Sequence, residues 1–269
     1  MGPAEPDTGP ERPEQRLDRG SVTRVLAGAG CLAAAEEAEE LIESARGDQD
    51  VLDDLLRRRC TGEPLAWLTG STVFCGVELS VAPGVYVPRW HSEPLARRAV
   101  TLLTGGGVAL DLCTGAGAIA IVLATAVPSA RVVGTDLDPA AVRCARGNGV
   151  EVFEGFLDDP VPAELEHRVD VVSAVVPYVP TGSLPLLPRD VQVFEPRLAL
   201  DGGVHGTDLL EEVVRRSPRW LRGGGSILLE LGGEQAEPIG RLLDRLGFEG
   251  LDVMVDEDGD PRAVCARLA

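Results

Sequence analysis

The chain has 269 residues, a hydrophobic fraction of 44% and a formal charge of −18. This length and content suffice for a globular protein with a substantial core, and no apolar run approaches the roughly 20 residues of a membrane helix. So negative a chain disfavours electrostatic binding to nucleic-acid backbones.

The termini and cysteines suggest a cellular compartment. The N-terminal sequence MGPAEPDTGPERPEQ is polar and acidic, unlike a signal peptide. The six cysteines contain no CxxC pair, which favours reduced thiols over a disulfide framework or a zinc site. We therefore expect a cytoplasmic protein that binds no metal, nucleic acid or membrane.

The first 90 residues are predicted to contain helices and a hairpin. Residues 1–15 are rich in Pro, Gly and charge, as in disordered tails. Over residues 16–70 apolar positions recur at intervals of three and four, which predicts a small helical domain. Residues 71–90 form a predicted linker in which Thr72–Phe74 and Val77–Val81 flank a Cys-Gly turn as a β-hairpin.

Short apolar runs alternate with amphipathic stretches over residues 91–269. The predicted strands are Val108–Leu112, Arg131–Thr135, Val150–Phe153, Val169–Ala174, Ser226–Leu231, Leu251–Val255 and Ala263–Arg267. The predicted helices are Ser92–Thr104, Ala118–Val127, Pro139–Asn148, Asp208–Leu221 and Gln235–Leu246. This alternation predicts an α/β domain with a mostly parallel sheet, closed at one edge by an antiparallel pair.

The strongest local motif, ALDLCTGAGA, is a strand that runs into a glycine-rich turn and a helix. Gly115 and Gly117 let a ligand approach free backbone amides, and Asp136 ends the next strand, where an acid can bind both hydroxyls of a ribose. Ile119 and Ala120 interrupt the GxGxxG of dinucleotide-binding folds. An acid before the turn favours S-adenosylmethionine (SAM) over NAD, although a turn without a ligand also fits the pattern.

Several motifs in order resemble those of the protein N5-glutamine methyltransferases, whose best-known members methylate the glutamine of peptide-release factors. The similarity extends from about Val22 to the C-terminus. The motifs are GEPLAWLTG, FCGVEL, PGVYVPR with Glu93, DLCTGAGAIA, Pro177-Tyr178, Glu195-Pro196, LALDGG, and Gly224–Glu230 with Gln235. The resemblance implies a helical domain that grips a protein substrate, a hairpin linker, and a seven-stranded, mostly parallel Rossmann-like methyltransferase sheet that binds SAM.

The sequence departs from this family where an acceptor amide would bind. The family's Asn-Pro-Pro-Tyr is Val-Val-Pro-Tyr at residues 175–178, so Val175 replaces an asparagine that accepts a hydrogen bond from the amide. Valine offers no acceptor atom, and the clamp is therefore lost. Arg-Pro-Asp-Thr-Glu becomes Arg-Trp-His-Ser-Glu at residues 89–93, and His205 replaces a further expected aspartate.

The glycine-rich turn and the adenine side carry milder changes. Cys113 replaces the first glycine of the turn, and Phe156 replaces the acid expected beside adenine, with Asp158 two residues later. Together the departures predict that SAM binding is retained while the acceptor site has been rebuilt.

Two sets of site residues follow from the motifs and the resemblance. The predicted cofactor-binding residues are Asp111, Cys113, Thr114, Gly115, Gly117, Asp136, Leu137, Phe156 and Val175. The predicted catalytic residues are Tyr178, His91 and Pro177. Structural roles compete with several of these: Asp111 could cap a strand, Tyr178 could pack a loop, and His91 could be a surface histidine. Arg89 and Glu93 could line the cofactor pocket or pair with one another.

Three functions remain open at this point. The first is a SAM-dependent methyltransferase of biosynthesis that acts on a small-molecule acceptor, with a release factor as a disfavoured substrate. In the second, SAM itself is the substrate of a cyclase that forms a small-ring amino acid, such as 1-aminocyclopropane-1-carboxylate or azetidine-2-carboxylate, and methylthioadenosine. The third is a non-catalytic SAM-binding protein.

Overall fold

The described residues of the N-terminal part of the chain fold into four helices. The structure, a computed structural model, describes residues 18–269 and divides into two units that meet at Thr69 and Gly70. The predicted tail of residues 1–15 lies outside the described residues. The helices of the first unit are α1 (Arg19–Gly28), α2 (Ala34–Ala45), α3 (Gln49–Cys60) and α4 (Leu65–Thr69).

Spacing and capping explain why these helices form. The Asp18 carboxylate accepts a hydrogen bond from the Ser21 amide at 2.8 Å, and Asp48 caps α3 in the same way. Their apolar faces form a separate core that includes Leu26, Leu41 and Leu55.

The second unit begins with the hairpin of strands β1 (Ser71–Phe74) and β2 (Val77–Ser80). Cys75 and Gly76 at its turn have φ values of +52° and +78°, as two-residue hairpins require. Ser80 exchanges two backbone hydrogen bonds with the Asn148 side chain, at 2.8 and 2.9 Å. The hairpin is thus part of the unit that contains the large sheet.

Seven strands form that sheet, in the order β5-β4-β3-β6-β7-β9-β8. They are β3 (Val108–Leu112), β4 (Arg131–Asp136), β5 (Glu151–Glu154), β6 (Val169–Ala174), β7 (Leu221–Glu230), β8 (Phe248–Val255) and β9 (Pro261–Leu268). The first five strands in this order run parallel, and β9 pairs antiparallel with both β7 and β8. The predicted fold class is therefore confirmed.

Helices accompany the sheet: α5 (Glu93–Leu102), α6 (Ala118–Ala126), α7 (Pro139–Gly147), α8 (Arg189–Phe194), α9 (Asp208–Arg216) and α10 (Ala236–Arg245). The predicted helix at Asp208–Leu221 is too long, because Pro218 lacks the amide that would continue α9, and a short 3₁₀ turn follows instead. Helix α8 was not predicted. No helix within residues 18–269 is both long and apolar enough to span a bilayer.

The strand order positions a site. Consecutive strands are added on one side of β3 as β4 and β5, and on the other side as β6 and β7. The loops after β3 and β6 therefore diverge, and the carboxyl ends of the strands border a crevice there, the usual ligand position in open α/β sheets.

Candidate active site

A cavity occupies this crevice at the carboxyl ends of β3, β4 and β6. Of the predicted site residues, all except Gly117 and His91 line it. The lining also contains residues that the sequence did not single out for the site, among them Phe74, Tyr86, Ile119, Leu198 and Leu200. The parallel strands thus bring most of the predicted residues together.

The glycine-rich turn is shaped by left-handed backbone. Gly115 has a φ of +59°, and a Cβ there would meet no atom within 4 Å, so the space beside its Cα is open to a ligand. Gly117 instead meets neighbouring atoms: a Cβ would lie 2.8 Å from Val150 Cγ2. Gly117 is thus required for close packing of the turn. Cys113 takes a φ of +56°, which explains why glycine suits that position.

Asp136, at the end of β4, is held by backbone amides. Its Oδ2 accepts from Gly115 N at 2.8 Å and its Oδ1 from Asp138 N at 2.9 Å. Burial raises the pKa of Asp136, and these amide hydrogen bonds oppose that shift. Each carboxylate oxygen keeps a lone pair for a ribose hydroxyl. Asp138 caps α7 by accepting from Ala140 N at 2.8 Å.

Asp111 is 2% exposed and lies at the centre of a small polar network. Its carboxylate accepts from the Thr114 hydroxyl at 2.6 Å and from the Ser173 hydroxyl at 2.7 Å. Burial raises the pKa of Asp111 to about 6, and the two hydroxyls limit the rise. A cationic group beside this carboxylate would stabilise its ionised form.

Leu137 and Phe156 give the cavity an apolar wall beyond Asp136. They are 48% and 37% exposed and both line the cavity. Asp158 is instead buried, where it accepts from Trp220 Nε1 at 2.8 Å and from Arg216 Nη1 at 2.9 Å. The acid near Phe156 is therefore bound by structural partners, and the wall suits the flat face of an adenine.

These residues together fit SAM. The acid at the end of β4 matches the ribose hydroxyls, the buried acid at the end of β3 matches a cationic amino group, and the apolar wall matches the base. Among residues 18–269, no group of three or more His, Cys, Asp or Glu side chains is arranged to hold a metal ion.

The loop after β6 forms the other wall. Val175 is half-buried, whereas Val176 is 1% exposed and belongs to the core, and both residues line the cavity. Tyr178 lines the cavity and donates its hydroxyl to Glu230 Oε1 at 3.1 Å. Burial and the Glu230 carboxylate both raise the pKa of Tyr178, so the phenol remains protonated.

A second loop holds Tyr178 in place. Gln235 donates from Nε2 to the Tyr178 carbonyl at 2.8 Å, and the residue after Tyr178 pairs with the LALDGG segment. A Cβ at Gly206 would lie 2.2 Å from the Tyr178 carbonyl, so this close approach requires glycine. His205 is exposed and does not line the cavity.

Arg89 is a cation on the cavity wall. Its guanidinium forms an ion pair with the buried Glu195 and lies 5.4 Å from the centroid of the Tyr86 ring. Glu93 bonds elsewhere, with Arg97 and the Cys75 amide, so the interpretation that Arg89 and Glu93 pair is wrong. Tyr86 and Arg89 belong to the PGVYVPR motif and Glu195 to the Glu-Pro motif. The sequence of these motifs does not reveal that Arg89 contacts Glu195.

The fold and this site define a SAM-dependent methyltransferase. Residues 92–171 match the Methyltransferase small domain family. A methyltransferase from Pyrococcus furiosus shares the fold, with a TM-score of 0.51 and 20% identity, over 72% of this chain and 89% of that one. SAM is the methyl donor that this class uses.

Curated relatives specify the family. A release factor glutamine methyltransferase from Geobacter sulfurreducens is 36% identical, over 80% of this chain and 76% of its own length. A 4-amino-L-phenylalanine/4-methylamino-L-phenylalanine methyltransferase from Streptomyces pristinaespiralis is 34% identical, over 87% of both chains. The chain belongs to the protein N5-glutamine methyltransferase family.

Proposed function

We infer that this enzyme transfers the methyl group of SAM to an amine nitrogen of a small molecule, and not to the glutamine amide of a release factor. The observation that carries this proposal is Val175, which lines the cavity where the resemblance implies an amide-binding asparagine.

An amide nitrogen is a poor nucleophile because resonance delocalises its lone pair. A hydrogen-bond clamp that orients the amide contributes a few kcal/mol, roughly 10²–10³ in rate, in a site that excludes water. Val175 cannot accept the hydrogen bond of such a clamp. An amine needs less help, since its lone pair is less delocalised than that of an amide, even when the amine is attached to an aromatic ring.

The remaining wall supports an acceptor with an apolar or aromatic body. Tyr86, Pro177, Tyr178, Leu198 and Leu200 line the cavity. Sites of this kind bind small ligands through apolar surface and few polar groups. The relative from Streptomyces pristinaespiralis acts, by its name, on amino acids that carry an amino group on an aromatic ring, which supports an arylamine acceptor here.

Each protein group has a defined part in this reaction. When bound, SAM supplies an electrophilic methyl group on a sulfonium. Asp136 and Asp111 hold the ribose and amino ends, and Tyr178 orients the acceptor from the loop after β6. Methyl transfer from a sulfonium is a direct displacement, so positioning and desolvation of the two reactants provide most of the rate enhancement.

The test compares acceptors directly. Purified enzyme is incubated with SAM and either 4-amino-L-phenylalanine or an intact peptide-release factor, and S-adenosylhomocysteine is measured by mass spectrometry. We expect turnover with the amine and none with the release factor; the reverse order would overturn the proposal. A reaction with SAM alone detects methylthioadenosine, whose enzyme-dependent formation would favour the cyclase instead.

A further inference from the structure

Glu230 is a buried acid that the reaction described so far does not use. It ends β7, is 2% exposed, and its Oε1 accepts the hydrogen bond from Tyr178. His91 Nε2 lies 3.4 Å from the same oxygen, Glu230 Oε1. Glu230 Oε2 and His91 Nε2 are both buried atoms without a hydrogen-bond partner.

The buried Glu230 carboxylate has too few hydrogen bonds to be stable as an isolated charge. A buried charge is costly unless it is paired and fully hydrogen-bonded, and one phenol does not satisfy four lone-pair sites. A proton held between Glu230 Oε1 and His91 Nε2 would give His91 Nε2 a partner and would reduce the buried charge of Glu230. The arrangement therefore has the chemistry of a pair that shares one proton.

We propose that Tyr178, Glu230 and His91 form a proton relay that removes the proton released when an amine acceptor is methylated; this rests on the proposed function. Tyr178 is the member that lines the cavity. Glu230 and His91 act through it as positioning residues.

The relay balances as follows. The amine nitrogen forms a bond to the methyl carbon while the carbon–sulfur bond breaks and its electron pair stays on sulfur. The product is an ammonium that carries one extra proton. That proton passes to the Tyr178 oxygen while the Tyr178 proton passes to Glu230. Glu230 and His91 then hold two protons between them, and His91, whose side chain is 31% exposed, releases one of the two to solvent.

His91 is the member that distinguishes this chain. The resemblance places an aspartate at this position, and a second acid beside Glu230 would repel its charge. Histidine can instead carry a proton near neutral pH. The other ionisable groups that act on the relay are Tyr86 and Arg262, next to Tyr178, and Arg89 and Glu195, next to Tyr86.

The first test uses the free enzyme. Nitrogen NMR of the imidazoles resolves the three histidines of the chain. We expect a hydrogen on His91 Nε2 in the wild type, and a changed His91 signal in the Glu230→Gln variant, with His205 as an unaffected reference. A His91 Nε2 without hydrogen, or a signal that Glu230→Gln leaves unchanged, would overturn the relay.

The second test separates proton removal from structure. Wild type, Glu230→Gln and His91→Asn are assayed with 4-amino-L-phenylalanine and with its 4-dimethylamino analogue, which has no proton to release on methylation. In the two variants, we expect kcat with the primary amine to fall about 10²-fold below the wild-type value. With the tertiary amine, we expect kcat to equal that of the wild type. His205→Asn, at an exposed histidine outside the cavity, is the matched control.

The outcomes are distinguishable. Equal losses with both acceptors would mean a structural role and overturn the relay. If the wild type methylates neither amine, the proposed function fails, and the NMR result still decides whether Glu230 and His91 share a proton.

Discussion

The two walls of the cavity are held in different ways. We call the wall that contains Gly115 and Asp136 the cofactor wall, and the wall that contains Val175 and Tyr178 the acceptor wall. On the cofactor wall, Gly115 and Asp136 are fixed by backbone amides and by left-handed turn geometry. On the acceptor wall, Val175 and Tyr178 present side chains from a loop that other loops hold in place. Backbone conformation and amide hydrogen bonds thus position the groups of the cofactor wall, whereas the chemistry of the acceptor wall depends on individual side chains.

The support of the acceptor loop matches the family pattern even though its first residue does not. Gln235 donates a hydrogen bond to the Tyr178 carbonyl, and Gly206 leaves room for that carbonyl because it has no Cβ. A change from asparagine to valine leaves such a scaffold intact because the two side chains are similar in size.

The largest expected effect is a gain of activity on the acceptor wall. The double variant Val175→Asn with Val176→Pro restores the Asn-Pro-Pro-Tyr sequence. We expect methylation of a release factor to rise about 10²-fold over the parent, because the amide regains its clamp. Transfer of radiolabelled methyl to the protein measures it. Val193→Asn, on the exposed face of α8, is the control; no gain would mean that the protein-binding groove has also diverged.

A loss of similar size is expected on the cofactor wall. Asp136→Asn replaces the charged acceptor that we expect to bind the ribose hydroxyls. Hydrogen bonds to such a charged group contribute about 2–3 kcal/mol, so the Kd for SAM should rise about 10²-fold. Isothermal titration calorimetry measures it. Glu154→Gln changes the register partner of Asp136 on β5 and should bind normally. An unchanged Kd in Asp136→Asn would show that the ribose is bound elsewhere.

Asp111 makes the cofactor wall sensitive to pH. Its pKa is about 6 in the folded state against 3.8 for a free carboxyl, so the folded protein binds this proton more tightly. This tighter proton binding adds to the free energy of unfolding at low pH. The contribution is lost as the pH rises through 6, and the loss is about 3 kcal/mol once Asp111 is ionised.

A cationic group bound beside Asp111 favours the ionised carboxylate, and its binding therefore offsets this loss of stability. SAM affinity should therefore improve about tenfold between pH 5 and pH 7, as the ionised fraction of Asp111 rises. Calorimetry at both pH values measures it. Asp111→Asn should flatten the dependence and separate Asp111 from Asp136, whose pKa burial also raises. A slope that persists in this variant would assign the effect to another group.

The smallest expected effect concerns backbone strain at Cys113. Its φ is +56°, so Cys113→Gly should be more stable than Cys113→Ala by about 1 kcal/mol. At Cys144, inside helix α7, the order should reverse, because glycine is less favourable than alanine in a helix by a similar amount. Urea unfolding without SAM measures both pairs. The same order at both sites would contradict a strained turn.

Much of the catalytic unit could be predicted from the sequence. The strands from Val108–Leu112 and Val169–Ala174 have the predicted bounds, since buried parallel strands are short and continuously apolar. The positions of Asp111 and Asp136 at the carboxyl ends of β3 and β4 followed from that assignment. Helix α8 was missed because its six residues carry no extended period.

The sequence by itself determined the α/β order, the glycine-rich turn, and the presence of valine at residue 175, where the family resemblance implies an asparagine. These are local features, readable from residue spacing and from the atoms that a side chain offers. Only the tertiary structure decided that Arg89 pairs with Glu195 rather than Glu93, and that Tyr178, Glu230 and His91 meet. Such contacts join segments far apart in the chain, so their distances depend on strand order and loop packing, which no local pattern encodes.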